Sequence, residues 1–143
     1  MPRIQPFDQS GIVRGSDGIA RYRDLPKSVV ELLRLTVEQM ADAEFLVEVG
    51  GERLTYRQVW ERSARVAGGL RAAGIRRGDR VAIRLANGVN WCLAFFGIQL
   101  AGAIAVPVNT RFSSSEVEYV VNDSGATFVF LTDQTLPDCE ACK

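Results

Sequence analysis

The chain has no histidine. That absence removes the commonest general base and the commonest zinc ligand together. It also has no net charge, because 17 basic residues balance 17 acidic ones. A nucleic-acid partner requires a basic excess, so the balance argues against one, and it leaves little repulsion between copies near neutral pH. Cysteine is sparse. Cys92, Cys139 and Cys142 are odd in number and one of them lies inside an apolar run, which is not the pattern of a secreted disulfide framework. Met1 to Ser10 has no apolar stretch of the signal-peptide type, so the expected location is the cytoplasm. The longest apolar segment, Val89 to Ala103, is roughly 15 residues against the ~20 that a membrane span needs.

What the chain does have is the content of one domain: 143 residues, a length that buries about 68–70% of its unfolded surface. The organising stretch runs from Gly78 to Arg111. Val81, Ile83 and Leu85 alternate with Arg80, Ala82 and Arg84, the period of a strand. Val89 to Ala103 follows, apolar on almost every face and interrupted only by Asn90 and Gln99. A helix of that kind has to be covered on several sides. Ile104 to Val106 then reads as a short strand ended by Pro107. Strand, helix and strand at these lengths form a crossover with the strands parallel.

The rest of the chain falls around that unit. Residues 1–25 show no period and read as an irregular N-terminal arm that includes short strands at most. Pro26 to Ser28 opens a helix, with Ser28 and Glu31 at capping-box spacing and Val30, Leu33, Val37 and Met40 on one face. Phe45 to Val49, a Gly50-Gly51 turn and Arg53-Leu54 predict a hairpin. Thr55 and Gln58 cap the next helix, whose Tyr56, Val59, Trp60, Ser63, Val66, Ala67 and Leu70 share a face; Arg57, Glu61 and Arg65 form a solvated one, and Gly74 ends it. Ser113 and Glu116 start a short helix with Val117, Val120 and Val121 turned inward, and Ala126 to Leu131 is a third apolar strand. The expected fold is α/β: a parallel sheet flanked by helices, preceded by a helix and a short antiparallel hairpin. The body spans 26–131, and 132–143 reads as a loose polar tail.

Candidate chemistry is thin. Gly69 and Gly74 have the spacing of a phosphate loop, but Ile75 and Arg76 stand where Lys and Ser or Thr are needed. Close helix packing is the expected role of these glycines. Cys139 and Cys142 form a C-x-x-C with no second pair and no histidine to complete a zinc site. Cys92 reads as a small core residue. Asn109 and Arg111 sit just past the end of a parallel strand, where open α/β sheets take ligands. The expectation there is that the side chain ties down the loop after Pro107. No catalytic, cofactor-binding or metal residue is assigned.

Several segments, in this order and spacing, carry a resemblance: Leu54-Thr55-Tyr56 opening a helix, Gly78 to Ile83, Leu100 to Asn109, and Asn122 to Ala126. Over about residues 26–131 the chain resembles the N-terminal part of the AMP-forming acyl-CoA synthetases of the adenylate-forming superfamily. Pro107-Val108-Asn109-Thr110-Arg111 is most similar to the bacterial fatty-acyl-CoA ligase branch. The resemblance implies a family reaction that uses Mg-ATP to adenylate a carboxylate and then forms a thioester with coenzyme A. It places the family's Lys-bearing nucleotide loop, its aromatic-Gly-x-Thr-Glu motif, its ribose-binding Asp and its catalytic Lys outside the matching segments. The implied protein is a truncated synthetase that binds no cofactor itself and is not catalytic alone. The alternatives are a self-associating or partner-binding module and one half of a split enzyme. In each case the expected partner is a second copy or a synthetase-like chain.

Overall fold

The computed structural model describes residues 9–139; the first part of the 1–25 arm, the last residues of the 132–143 tail and Cys142 lie outside them. Two short strands, β1 (Ile12–Arg14) and β2 (Ala20–Tyr22), pair antiparallel. Asp17 shapes their turn, accepting from the Ile19 amide at 3.0 Å and from Arg21 at 2.6 Å. Helix α1 (Val29–Met40) starts where Ser28 accepts from the Glu31 amide. The reciprocal half of that cap is displaced: Glu31 accepts from the Lys27 amide at 2.6 Å. Leu33 is buried and Val30 and Val37 half-buried, as the periodicity predicts, but Met40 is 50% exposed.

Strands β3 (Glu44–Val47) and β4 (Arg53–Thr55) form the second hairpin, turning at Gly50 with φ 75°. Phe45 stacks on Tyr56 with ring centroids 4.4 Å apart and tilts against Phe96, which seats the hairpin on the two central helices. Helix α2 (Tyr56–Ala72) opens on a full capping box between Thr55 and Gln58. It closes with the Gly74 amide bonded to the Arg71 carbonyl and the Ile75 amide to the Leu70 carbonyl, Gly74 being at φ 92°. That is a Schellman turn, and its hydrophobic partners Leu70 and Ile75 are both buried.

Strand β5 (Arg80–Ile83) leads through helix α3 (Val89–Ala101) to β6 (Ile104–Pro107), and β6 through helix α4 (Ser114–Ser124) to β7 (Ala126–Phe130). The sheet is parallel, in the order β6-β5-β7. The first crossover steps one way from β5 and the second steps back across it. Right-handed crossovers then require their helices on opposite faces. The core divides accordingly. Val81, Ile83, Phe128 and Phe130 pack with α2 and α3, while Ala82, Val106 and Val129 pack with Val117 and Val121 of α4.

Coverage of both faces corrects the alternation read into this strand. Val81, Ala82, Ile83 and Arg84 are all buried. Arg84, 3% exposed, donates to the carbonyls of Phe112 at 3.0 Å and Thr135 at 3.2 Å. The stretch after β7, expected to be loose, is thus bonded to the central strand. A short 3-10 turn at Pro137–Cys139 follows, with Cys139 packed against the cluster of Ala82, Val108, Val117 and Val121.

Candidate functional site

In an open parallel sheet, ligands bind beyond the carboxyl ends of the strands, where successive connections leave towards opposite faces. Here that point lies between β5 and β6. The loop 85–88 rises to α3 and the loop 108–113 drops to α4. A crevice of about 620 Å³ opens between them, lined by Leu85, Ala86, Asn87, Trp91, Pro107 and the run Val108 to Arg111. Trp91 forms its aromatic wall, half-buried and stacked on Phe95 with centroids 5.5 Å apart.

The two residues singled out after Pro107 meet here in different roles. Asn109 Oδ1 accepts from the Arg111 amide at 2.9 Å. This is an Asx turn, the loop-fixing role expected of it. The Arg111 side chain is exposed, and its guanidinium has no hydrogen-bond or ion-pair partner among the described residues. Among the described residues it is the only charged group lining the crevice. The wall can therefore present a cation, amides and an indole to an anionic or planar group. Among the described residues it holds no carboxylate, imidazole or thiol, the groups that most often move a proton or bind a metal.

A second cavity of about 690 Å³ shares Leu85, Ala86 and Asn87 and lies on the other side of that loop, beside Glu48, Glu52, Arg62 and Arg65. Two of its four charged groups are paired with each other. Glu52 and Arg62 form a two-pronged pair at 2.6 and 2.9 Å, and the hydrogen bond from Arg62 holds the Glu52 carboxyl below its ordinary pKa.

The other candidates resolve as structure. Gly68 and Gly69 are exposed inside α2, and a Cβ on either would meet nothing within 4 Å. The close packing expected of the glycines in this region is therefore absent from this pair and found at Gly97 of α3. A Cβ there would lie 2.4 Å from Val66 Cγ1 and 3.2 Å from the Ser63 carbonyl. Nor is there a phosphate cradle, because those backbone groups belong to a helix interior and a Schellman turn. Cys92 is half-buried, and burial pushes its thiol pKa up, away from nucleophilic use. Among the described residues no group of acidic residues and cysteines could hold a metal ion, and no helix is long and apolar enough to cross a membrane.

The sequence pattern did not mark Arg80 and Arg84 as structural. Arg80 donates to the Ser124 carbonyl at 2.9 Å and the Gly125 carbonyl at 2.8 Å, placing a cation on the C-terminus of α4. Arg84 fixes the two loops that follow β6 and β7. The one available signal was a pair of arginines inside a strand of the central unit.

Residues 33–143 match the family described as AMP-binding enzyme. A long-chain-fatty-acid–CoA ligase of Mycobacterium tuberculosis is 40% identical over 91 residues, which cover 64% of this chain and 18% of that protein. A long-chain-fatty-acid–CoA ligase of Escherichia coli is 37% identical over 109 residues, covering 76% and 19%. Among solved structures, the N-terminal domain of FACL13 from M. tuberculosis superposes with a TM-score of 0.76 at 35% identity, over 81% of this chain and 29% of that one. The anthranilate CoA ligase AuaEII, solved with anthranoyl-AMP, gives 0.76 at 30% identity, over 82% and 23%. The chain thus spans less than a fifth of the length of these curated relatives.

Proposed function

The chain belongs to the AMP-binding enzyme family and corresponds to an N-terminal segment of an AMP-forming acyl-CoA synthetase; from that premise we propose that it is a structural part of such a synthetase and performs no chemistry alone. The family is ATP- and CoA-dependent. The whole reaction proposed for the assembled enzyme is adenylation of a carboxylate by Mg-ATP, then thioester formation with coenzyme A. A fatty acid is the proposed carboxylate class, supported by the long-chain ligases among the relatives. The cytoplasm, where both cofactors are found, is the proposed setting.

The observation that carries this reading is the crevice at the switch point. Mg-ATP does not fit the residues present there, which include no carboxylate for the metal and no glycine-rich turn for the phosphates. No catalytic step is therefore assigned to Asn109, Arg111 or Trp91. The test is ATP–pyrophosphate exchange by the purified 143-residue chain with long-chain fatty acids. Background exchange is expected. Exchange above background, persisting when the protein is made in a host without its own fatty-acid synthetases, overturns the proposal.

A further inference from the structure

Two consecutive residues at the end of β5 hold the connections on both sides of it. The Ile83 carbonyl accepts from the Val108 amide at 2.9 Å, at the start of the loop after β6. The Arg84 amide donates to the Phe130 carbonyl at 2.8 Å, at the end of β7. The Arg84 side chain then reaches both ways. Its Nη2 donates to the Phe112 carbonyl at 3.0 Å and its Nη1 to the Thr135 carbonyl at 3.2 Å. Each acceptor belongs to a residue that closes a small turn. On one side, Asn109 Oδ1 accepts from the Arg111 amide at 2.9 Å and the Asn109 carbonyl from the Phe112 amide at 3.2 Å. On the other, the Thr135 hydroxyl accepts from the Thr132 amide at 3.0 Å, and the Thr135 amide donates to the Thr132 carbonyl at 2.9 Å. The first turn forms a wall of the switch-point crevice, and Thr132 lines the second cavity.

We propose that Arg84 is a positioning residue that couples these two turns, so that the crevice wall at 109–112 and the turn at 132–135 hold or lose their order together. A guanidinium is planar, and its N–H groups leave it in a fixed fork. Displacing one carbonyl tilts the fork and draws the other donor off its acceptor. Arg84 is 3% exposed, so water does not readily replace a broken bond there, and a buried polar group left unpaired is costly. The turn that keeps its own partners is therefore strained when the other opens. A coupling of this kind is reciprocal: each turn must affect the other by the same factor.

The coupling is independent of the adenylation reading, and its test reads amide hydrogen exchange in the full chain rather than exchange of pyrophosphate. Thr135→Val removes the hydroxyl that holds the Thr132 amide. Exchange should quicken about fivefold or more at Thr132, and by a similar factor at Arg111 and Phe112. Asn109→Ala removes the acceptor of the Arg111 amide and should quicken Thr132 and Thr135 in return. The Ile75 amide, in the turn before β5, is the control and should not change. Arg84→Lys keeps the charge and loses the fork. In that background each perturbation should stay within its own turn. Arg84→Met, which buries no charge, repeats that arm and should give the same result. Perturbations that stay local in the parent chain, that cross equally well in the Arg84 variants, or that quicken Ile75 as much as the turns would each overturn the proposal.

Discussion

Helix α2 opens on the reciprocal Thr55–Gln58 cap, closes in the Schellman turn at Gly74, and divides buried Val59, Ser63, Ala67 and Leu70 from exposed Arg57, Glu61 and Arg65. Helix α3, packed against it, begins at Gly88 with no side-chain cap. Its Val89, Leu93, Ala94, Gly97, Ile98 and Ala101 are buried, and Trp91, Phe95, Phe96 and Leu100 half-buried. Aromatic residues and an interior glycine are weak helix formers. α3 is helical because its surroundings bury it, whereas α2 carries local reasons of its own. A short helix draws most of its stability from tertiary packing, and α3 depends on that packing most at its uncapped start. Its end has a Schellman turn at Gly102 (φ 81°), with the Gly102 amide on the Gln99 carbonyl and the Ala103 amide on the Ile98 carbonyl. Its last turn is held by Arg71 of α2, which donates to the Leu100 carbonyl at 2.5 Å.

The sharpest way to break this dependence is at Gly97. Any side chain there enters space held by Val66, a stiff β-branched residue, and by the Ser63 backbone. Gly97→Val is expected to destabilise by about 3 kcal/mol, the upper end of overpacking effects. Urea unfolding measures it. Adding Val66→Ala should return about 1 kcal/mol or more relative to the sum of the single changes. If Gly97→Val unfolds within about 0.5 kcal/mol of the parent, the two helices are not in the close contact described. The corresponding break in α2 is smaller. Thr55→Ala removes an N-cap and should cost about 1 kcal/mol. The rest of that helix should persist in far-UV dichroism, because its buried face and Schellman turn remain.

The same contrast explains what could be read before the fold was seen. Caps, the Gly50 turn, Gly74 and the two crossovers were legible because each is a local signal with a fixed spacing. The Asn109 turn was legible too, since it joins residues two apart. Arg84 was not. Alternation says which residues share a side of one strand, but nothing of whether both sides are covered. The carbonyls that accept from Arg84 lie 28 and 51 positions along the chain. Gly97 was hidden in the same way, as one small residue in an apolar run. Gly69 and Gly74 drew attention by their spacing although a Cβ on either would meet nothing within 4 Å. The switch-point crevice could be located, but its lack of acid–base groups depended on which side chains line it.

Ser63 offers the finest test of how α2 meets α3. It is fully buried, and its Oγ has no hydrogen-bond partner among the described residues. A hydroxyl desolvated without compensation costs about 1–3 kcal/mol. Ser also forms helix less well than Ala, by roughly half a kcal/mol. Against these stands the small gap left when the oxygen is removed. The gap is smaller than a methylene, whose burial is worth about 0.8 kcal/mol, so the polar and helical terms win. Ser63→Ala is expected to stabilise the fold by about 0.5–1 kcal/mol, read as a higher urea midpoint with an unchanged slope. A lower midpoint would show that the hydroxyl is bonded in solution, and that the α2–α3 contact is organised around a polar group rather than around the close approach at Gly97.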